Sequence, residues 1–297
     1  LSLYLESAPV LIQQGLVAVV EDVIYACIQD ASAEGKEVCL MVLRGIEHIA
    51  RVEPVRLRMI AEEIVPAILD ALEFLGEVAY ETIVICLTHF AVLRRARKAL
   101  VTGGATGALA RIGLETKTAD MEQRVALVLS YLASVNNSGM RQAMVYSGVL
   151  PVLLKLAKTD RHEIKECVAD AIASLSRTKE VRKAMVKAGT LHTVQELADC
   201  GSEIARNHCT VAMTKLSTSV SHMDTGTVST LIELCMAPGK RPEATTIESL
   251  ESSIQDAVTR LPPSLPFPPL VELERFSASA LATSYDPPRP ITWKKVA

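Results

Sequence analysis

One short pattern recurs along this chain at an interval that few folds can accommodate. The segments Arg56-Leu-Arg-Met-Ile-Ala-Glu-Glu63, Arg97-Lys-Ala-Leu-Val-Thr-Gly-Gly104, Arg141-Gln-Ala-Met-Val-Tyr-Ser-Gly148 and Arg182-Lys-Ala-Met-Val-Lys-Ala-Gly189 each run directly into an apolar stretch. The anchor positions 63, 104, 148 and 189 lie 41, 44 and 41 residues apart. Gly15 opens a similar stretch 48 residues before the first anchor, and a shortened copy begins near Gly226. Self-similarity at this period means that one supersecondary unit is copied and stacked, because a single copy cannot bury its apolar side alone.

The contents of one period are helical. After each anchor comes an apolar segment, for example Val149 to Ala157, then a polar turn, then a longer segment such as Ile164 to Ser176. In that longer segment Ile164, Cys167, Val168, Ala171, Ile172 and Leu175 recur at helical spacing. A unit therefore holds a short helix carrying the arginine, a glycine-marked bend and two packed helices. Glycine suits the bend because it takes φ > 0 without a Cβ clash. Glu63 breaks the pattern, so there the bend is expected to be made differently, with Pro66 in the first turn of the next helix.

The Arg-x-x-apolar-apolar-x-x-Gly junction, with the closing sequences Leu129-Ser-Tyr-Leu-Ala133 and Ile172-Ala-Ser-Leu-Ser176, resembles the armadillo repeat family over about residues 8–237. The resemblance implies an all-α, right-handed α-solenoid of three-helix repeats, about five of them plus a short terminal cap over 1–237. HEAT repeats share the stacking but use two helices, and the glycine junction favours the three-helix unit.

Composition agrees and narrows the function classes. Hydrophobic residues make up 49% of the chain but aromatic ones only 4%, which suits close packing of Ala, Val, Leu and Ile between helices. A mean hydropathy of +0.26 raises the question of a membrane span. The richest stretch, Ala8 to Val20, is broken by Gln13, Gln14 and Gly15 and falls short of the ~18 apolar residues that a bilayer requires. A formal charge of −3 gives no whole-molecule attraction to nucleic acid or anionic lipid. The seven cysteines (27, 39, 86, 167, 200, 209 and 235) are odd in number and embedded in apolar patterns. They read as buried thiols of an intracellular, reducing compartment. Leu1 in place of an initiator methionine, with no signal-peptide pattern after it, reads as a processed or partial chain.

In the armadillo family the last helix of each repeat lines a concave groove along which members bind extended peptides, and the import receptors among them rely on paired Trp and Asn rungs four residues apart. Here the Asn positions hold His48, His89, Tyr131, Ser174 and Lys215, and the Trp positions hold Arg44, Ile85, Leu127, Asp170 and Val211. No Trp/Asn ladder exists, so import-receptor chemistry loses its basis. By position, Arg44, His48, His89, Tyr131, Asp170, Ser174 and Lys215 are the expected partner-contacting residues of the groove.

No motif points to catalysis, and the chain reads as a non-enzyme without cofactor, metal or small-molecule substrate. Thr102-Gly-Gly-Ala-Thr-Gly107 superficially matches a phosphate loop, but it follows a helix and lacks the Gly-Lys-Ser/Thr ending. Cys200, His208, Cys209 and His222 lack zinc-ligand spacing. No serine or cysteine is set beside a base. The run Arg94-Arg-Ala-Arg-Lys98 could meet an acidic partner, against the plainer reading of a solvated helix end that suits the macrodipole.

Ten of the fourteen prolines follow residue 237, so 238–297 is a separate Pro-rich, mostly extended tail. It carries one amphipathic helix near 246–261, where Thr245-Thr-Ile-Glu248 has capping-box spacing. Phe267, Leu270, Val271, Phe276 and Trp293 are candidate anchors with which the tail would strap the repeats or a neighbouring subunit. The expected role is a protein-interaction scaffold within a larger intracellular assembly, cytoskeletal or ciliary by family association, with a transient adaptor or chaperone-like peptide binder as the alternative.

Overall fold

The computed structural model describes Val10 and residues 13–217. The expected copy near Gly226, the boundary at 238, the helix near 246–261 and the tail anchors Phe267, Leu270, Val271, Phe276 and Trp293 lie outside the described residues. Within them the regular structure is helical throughout.

The helices fall into units with the expected contents. The first described pair is α1 (Leu16–Asp30) and α2 (Ala33–Ile49). The second unit is α3 (Glu53–Ala61), α4 (Val65–Leu75), a 3-10 turn (Gly76–Ala79) and α5 (Tyr80–Val92). The third is α6 (Ala96–Thr102), α7 (Ala105–Glu115) and α8 (Ala119–Ala133). The fourth is α9 (Ser138–Tyr146), α10 (Val149–Leu156) and α11 (His162–Leu175). The fifth is α12 (Lys179–Lys187), α13 (Thr190–Ala198) and α14 (Glu203–Ser217).

Like packs on like. The long helices form the row α2–α5–α8–α11–α14, the short ones the row α3–α6–α9–α12, and the middle ones the row α1–α4–α7–α10. The core runs between the rows as a seam of fully buried aliphatic side chains, among them Leu43, Ile68, Leu72, Ile83, Leu87, Leu100 and Leu109, with Phe90 the one large ring. Few aromatics are needed because the rows approach closely. A Cβ added at Gly113 would stand 2.5 Å from the Val152 side chain, so α7 and α10 meet where only a hydrogen fits.

The bends explain the period. Gly15, Gly104, Gly148 and Gly189, the residues that open α1, α7, α10 and α13, have φ of +85°, +90°, +87° and +79°. Thr102-Gly-Gly-Ala-Thr-Gly107 is accordingly the α6–α7 junction. Glu63 corrects the sequence expectation: it makes the same left-handed bend as the glycines, at φ +60°. Pro66 does stand in the first turn of α4, but the turn itself is carried by a glutamate, at a conformational cost of about 1–2 kcal/mol.

A second difference concerns hydropathy. Among the described residues the stretch long and apolar enough to match a membrane span is Val65–Val92. In the fold Gly76–Ala79 divides it into α4 and α5, and these pack in two different rows.

Candidate functional site

The row of long helices presents the positions that the sequence singled out. At the Trp-equivalent positions Arg44 and Val211 are exposed, while Ile85, Leu127 and Asp170 are half-buried. At the Asn-equivalent positions His48, His89 and Tyr131 are half-buried and Lys215 is exposed. Ser174 is only 2% exposed, which corrects its assignment as a contact residue. It stands on α11, the long helix that packs against both α8 and α14.

One Asn-equivalent position, Tyr131, is engaged by the recurring arginine, which the sequence showed as a signature without a role. Arg97, in α6, donates from Nε to the Ala91 carbonyl at 2.7 Å and from Nη2 to the Val92 carbonyl at 3.3 Å. It thus satisfies acceptors that the C-terminus of α5 leaves open. Its Nη1 donates to Ser134 Oγ at 2.6 Å, just beyond α8, and its guanidinium lies 4.9 Å from the centre of the Tyr131 ring. One side chain therefore ties three helices of two units. Arg182 repeats the first contact, donating to the Ser176 carbonyl at 2.9 Å at the end of α11. Arg141, 5% exposed, donates to Thr178 Oγ1 at 3.0 Å, at the start of α12. Tyr131 is thus a stacking partner of the junction as well as a surface residue.

At the other rungs the same layer is less satisfied. Arg56 Nε and His48 Nε2 are buried without a hydrogen-bond partner among the described residues. His89 is held below the usual imidazole range, first by burial and then by the charges of Arg56 and Arg51, with Glu47 opposing and Arg124 adding. Arg51 itself contacts Glu47 at 3.3 Å.

Asp170 sits at the centre of a polar row across three long helices. Its carboxylate accepts from Ser130 Oγ of α8 at 2.5 Å and lies 3.6 Å from His208 Nδ1 of α14. The order places the acid between the hydroxyl and the imidazole. Ser130 therefore donates its hydrogen bond to the carboxylate and not to the imidazole, which differs from the hydroxyl–imidazole–carboxylate order of a hydrolytic triad.

The thiols are also quiet. Cys27, Cys39, Cys86 and Cys209 are buried and Cys167 and Cys200 are half-buried, all free, while Cys235 lies outside the described residues. Burial pushes the Cys39 and Cys167 thiols up to about 11 and that of Cys209 to about 12, so they are protonated at neutral pH. Among the described residues no three His, Cys, Asp or Glu side chains are grouped to hold a metal ion. Arg94 and Arg95 are exposed beside the end of α5, the solvated helix-end setting.

Comparison with known proteins agrees with this geometry at the level of fold. No family model matches the chain, and no curated protein does. Solved structures do. A computationally designed armadillo repeat protein for modular peptide recognition superimposes with a TM-score of 0.59 at 16% identity, over 80% of this chain and 99% of that one. The designed armadillo repeat protein YIII(Dq)4CqI gives 0.57 at 16% identity, over 78% and 98%. A designed armadillo repeat protein in complex with a (KR)4 peptide gives 0.55 at 16% identity, again over 78% and 98%. The architecture is therefore an armadillo-type α-solenoid.

Proposed function

We propose that this armadillo-type chain is a non-catalytic scaffold that holds an extended segment of another protein along its long-helix face, as a fixed subunit of a larger intracellular assembly. The observation that carries the reading is the division of labour on that face. Among the Asn-equivalent rungs Tyr131 stacks on Arg97 and Ser174 is buried, whereas the Trp-equivalent Arg44, Ile85, Leu127, Asp170 and Val211 form a row of exposed or half-exposed side chains, Asp170 already bonded to Ser130. A ladder of this kind, one position per unit, matches the regular side-chain spacing of an extended polypeptide. The solved relatives include one with a bound peptide and one designed for peptide recognition, which supports the same use of the face.

A reducing intracellular location is part of the proposal and draws on the free, buried thiols. Placement in a cytoskeletal or ciliary complex extends it by association with the fold. The tail residues Phe267, Leu270, Phe276 and Trp293 would supply a second attachment. Crosslinking mass spectrometry on native material, with the variants Arg44→Glu and Leu127→Asp, tests the reading. Partner crosslinks on the long-helix row and stoichiometric, salt-resistant co-purification that the variants weaken are expected. Rapid exchange would indicate a transient adaptor, and crosslinks confined to the middle-helix row would overturn the reading.

A further inference from the structure

The short-helix row carries a charge that the chain as a whole does not. Segments 93–104, 134–148 and 176–189, which hold α6, α9 and α12 with their flanking turns, contain ten of the 31 basic residues and one of the 34 acids, Glu180, in a chain of net charge −3. Neighbouring turns do not supply the missing acids. The last turns of α5, α8 and α11, which lead into the short helices, contain none, nor do the first turns of α7, α10 and α13, which follow them. Three of the ten basic residues, Arg97, Arg141 and Arg182, are the junction arginines bonded within the stack. The other seven are exposed and form no ion pair among the described residues. Repeat equivalence shows which side of the row they occupy. The positions three before, one after and five after each junction arginine lie about one turn apart, and they are Arg94, Lys98 and Thr102 at α6 and Lys179, Lys183 and Lys187 on α12. Between them α9 presents the uncharged Ser138, Gln142 and Tyr146, the last 86% exposed. At α3 the counterparts are Glu53, Leu57 and Ala61, so the basic side begins at the third unit.

This arrangement works against the fold. The three lysines of α12 stand four residues apart, where like charges repel, and Lys179 occupies the first turn, where the helix field favours an acid. The field also reaches the junctions: burial and then the charge of Arg94 hold the Arg97 guanidinium below its ordinary value, and burial and then Arg177 do the same to Arg141. A helix-end setting accounts for Arg94 and Arg95 beyond α5 and for Arg177 beyond α11, but not for Lys179 or Lys183.

We infer that the short-helix row of the third to fifth units is a second docking surface, separate from the long-helix face, for an acidic segment of a partner protein. Its carboxylates lie on the basic groups of α6 and α12 and its centre crosses Tyr146. The occupant is a narrow segment because the charge is confined. A membrane or a duplex is broad enough to extend over Glu53 in the same row and over the acidic remainder of the chain, whereas a single extended strand meets the basic side alone. Two helix spacings separate α6 from α12, ~16–20 Å, which about five or six extended residues cover. Lysines, as hydrated point charges on flexible stems, suit several carboxylates of such a segment better than one fixed fork. This surface does not depend on whether the long-helix face holds a peptide.

The test titrates the full chain, at ~0.1 M salt, against fluorescein-labelled peptides of ~12 residues that alternate Glu with Ser or Gln with Ser. Fluorescence anisotropy should show the Glu peptide binding at least about tenfold more tightly than the Gln peptide, with affinity falling as salt rises. The variants Lys179→Gln/Lys183→Gln and Arg94→Gln/Lys98→Gln should each weaken the Glu peptide by about three- to tenfold, whereas Arg44→Glu on the long-helix face leaves it unchanged. Because Lys179→Gln/Lys183→Gln relieves repulsion within α12, its melting temperature should hold or rise, so unfolding cannot explain the lost binding. Equal affinity for the two peptides, binding of neither, indifference to both double variants, or loss with Arg44→Glu instead would overturn the inference. Tighter binding to a labelled oligothymidylate or to phosphatidylserine-containing vesicles than to the Glu peptide would overturn it in favour of another polyanion. None of these outcomes touches the long-helix reading, which the crosslinks on that row decide.

Discussion

Replacing Glu63 by glycine exchanges a residue held at φ +60° for the one type that reaches that region without a clash between Cβ and the carbonyl oxygen. The left-handed conformation costs a residue with a Cβ about 1–2 kcal/mol. Against this, glycine loses more chain entropy on folding, roughly 0.5–1 kcal/mol. The net expectation is a gain of about 0.5–1 kcal/mol for Glu63→Gly. Charge must be separated from backbone, because Glu63 adds to the negative field that helps burial raise the Glu21 carboxyl. Glu63→Ala removes the same charge and keeps the Cβ, so the difference between the two variants reports the bend alone. In a stack of repeats a single global unfolding energy is not well defined. Native-state hydrogen exchange of the α3 and α4 amides is therefore the assay, with urea unfolding in support. Slower exchange in Glu63→Gly than in Glu63→Ala is required; equal rates, or faster exchange in the glycine variant, would refute the argument. The mirror experiment is Gly148→Ala. Its new Cβ would meet only the Ala110 Cβ, at an ordinary 3.8 Å, so the expected loss of about 1 kcal/mol is conformational and not steric.

Other expectations follow from the same contacts. Lys155 donates to the carbonyls of Gly113, Leu114 and Thr116 at the end of α7, so Lys155→Met should lower stability by roughly 1.5–3 kcal/mol in urea unfolding. Arg97→Lys should fail to restore what Arg97→Ala loses, because an ammonium cannot reach two carbonyls and Ser134 while stacking on Tyr131; melting temperatures of both variants decide this. Gly113→Ala should destabilise by about 1–3 kcal/mol and be rescued by Val152→Ala in the double variant, since those two side chains would compete for one space. With Cys39 near 11 and Cys209 near 12 in the folded chain, against an ordinary thiol near 9, the unfolded form releases protons first on the alkaline side. Their contribution is complete below about pH 9 and is lost as pH rises toward 12, so urea midpoints should fall over that range, less so after Cys39→Ala.

The fold was legible from the sequence because its period is written by backbone constraint. A left-handed bend favours glycine and the clamp uses arginine, and the two stand seven residues apart at three junctions, Arg97/Gly104, Arg141/Gly148 and Arg182/Gly189. Glu63 escaped because backbone strain leaves no residue signature when the copy around it is otherwise intact. The site was less legible. Ser174 and Tyr131 occupy positions equivalent to exposed ligand contacts in the family, yet one is buried and the other stacks against Arg97. Linear spacing reports which face of a helix a residue is on, but not which side chain from another unit will reach across and cover it. The arginine pattern did contain that information, since a cation recurring just after a helix C-terminus is a ready partner for its open carbonyls.

That covering also fixes how the face can be used. Neighbouring packed helices stand ~8–10 Å apart, while an extended chain advances ~3.3 Å per residue, so one unit spans about two to three residues of a partner. With the Asn-equivalent rungs of the third and fourth units committed to the stack, those two units offer chiefly their Trp-equivalent positions. Along the row these read Arg44, Ile85, Leu127, Asp170 and Val211: a cation, two apolar residues, an acid already in contact with Ser130 and His208, and an exposed valine. Such an order is not its own mirror image. An extended segment that places a carboxylate at Arg44 and apolar side chains at Ile85 and Leu127 fits in one direction only. Reversing it would bring the carboxylate toward Asp170, where like charges repel, so direction as well as register would follow from the order of side chains along the row.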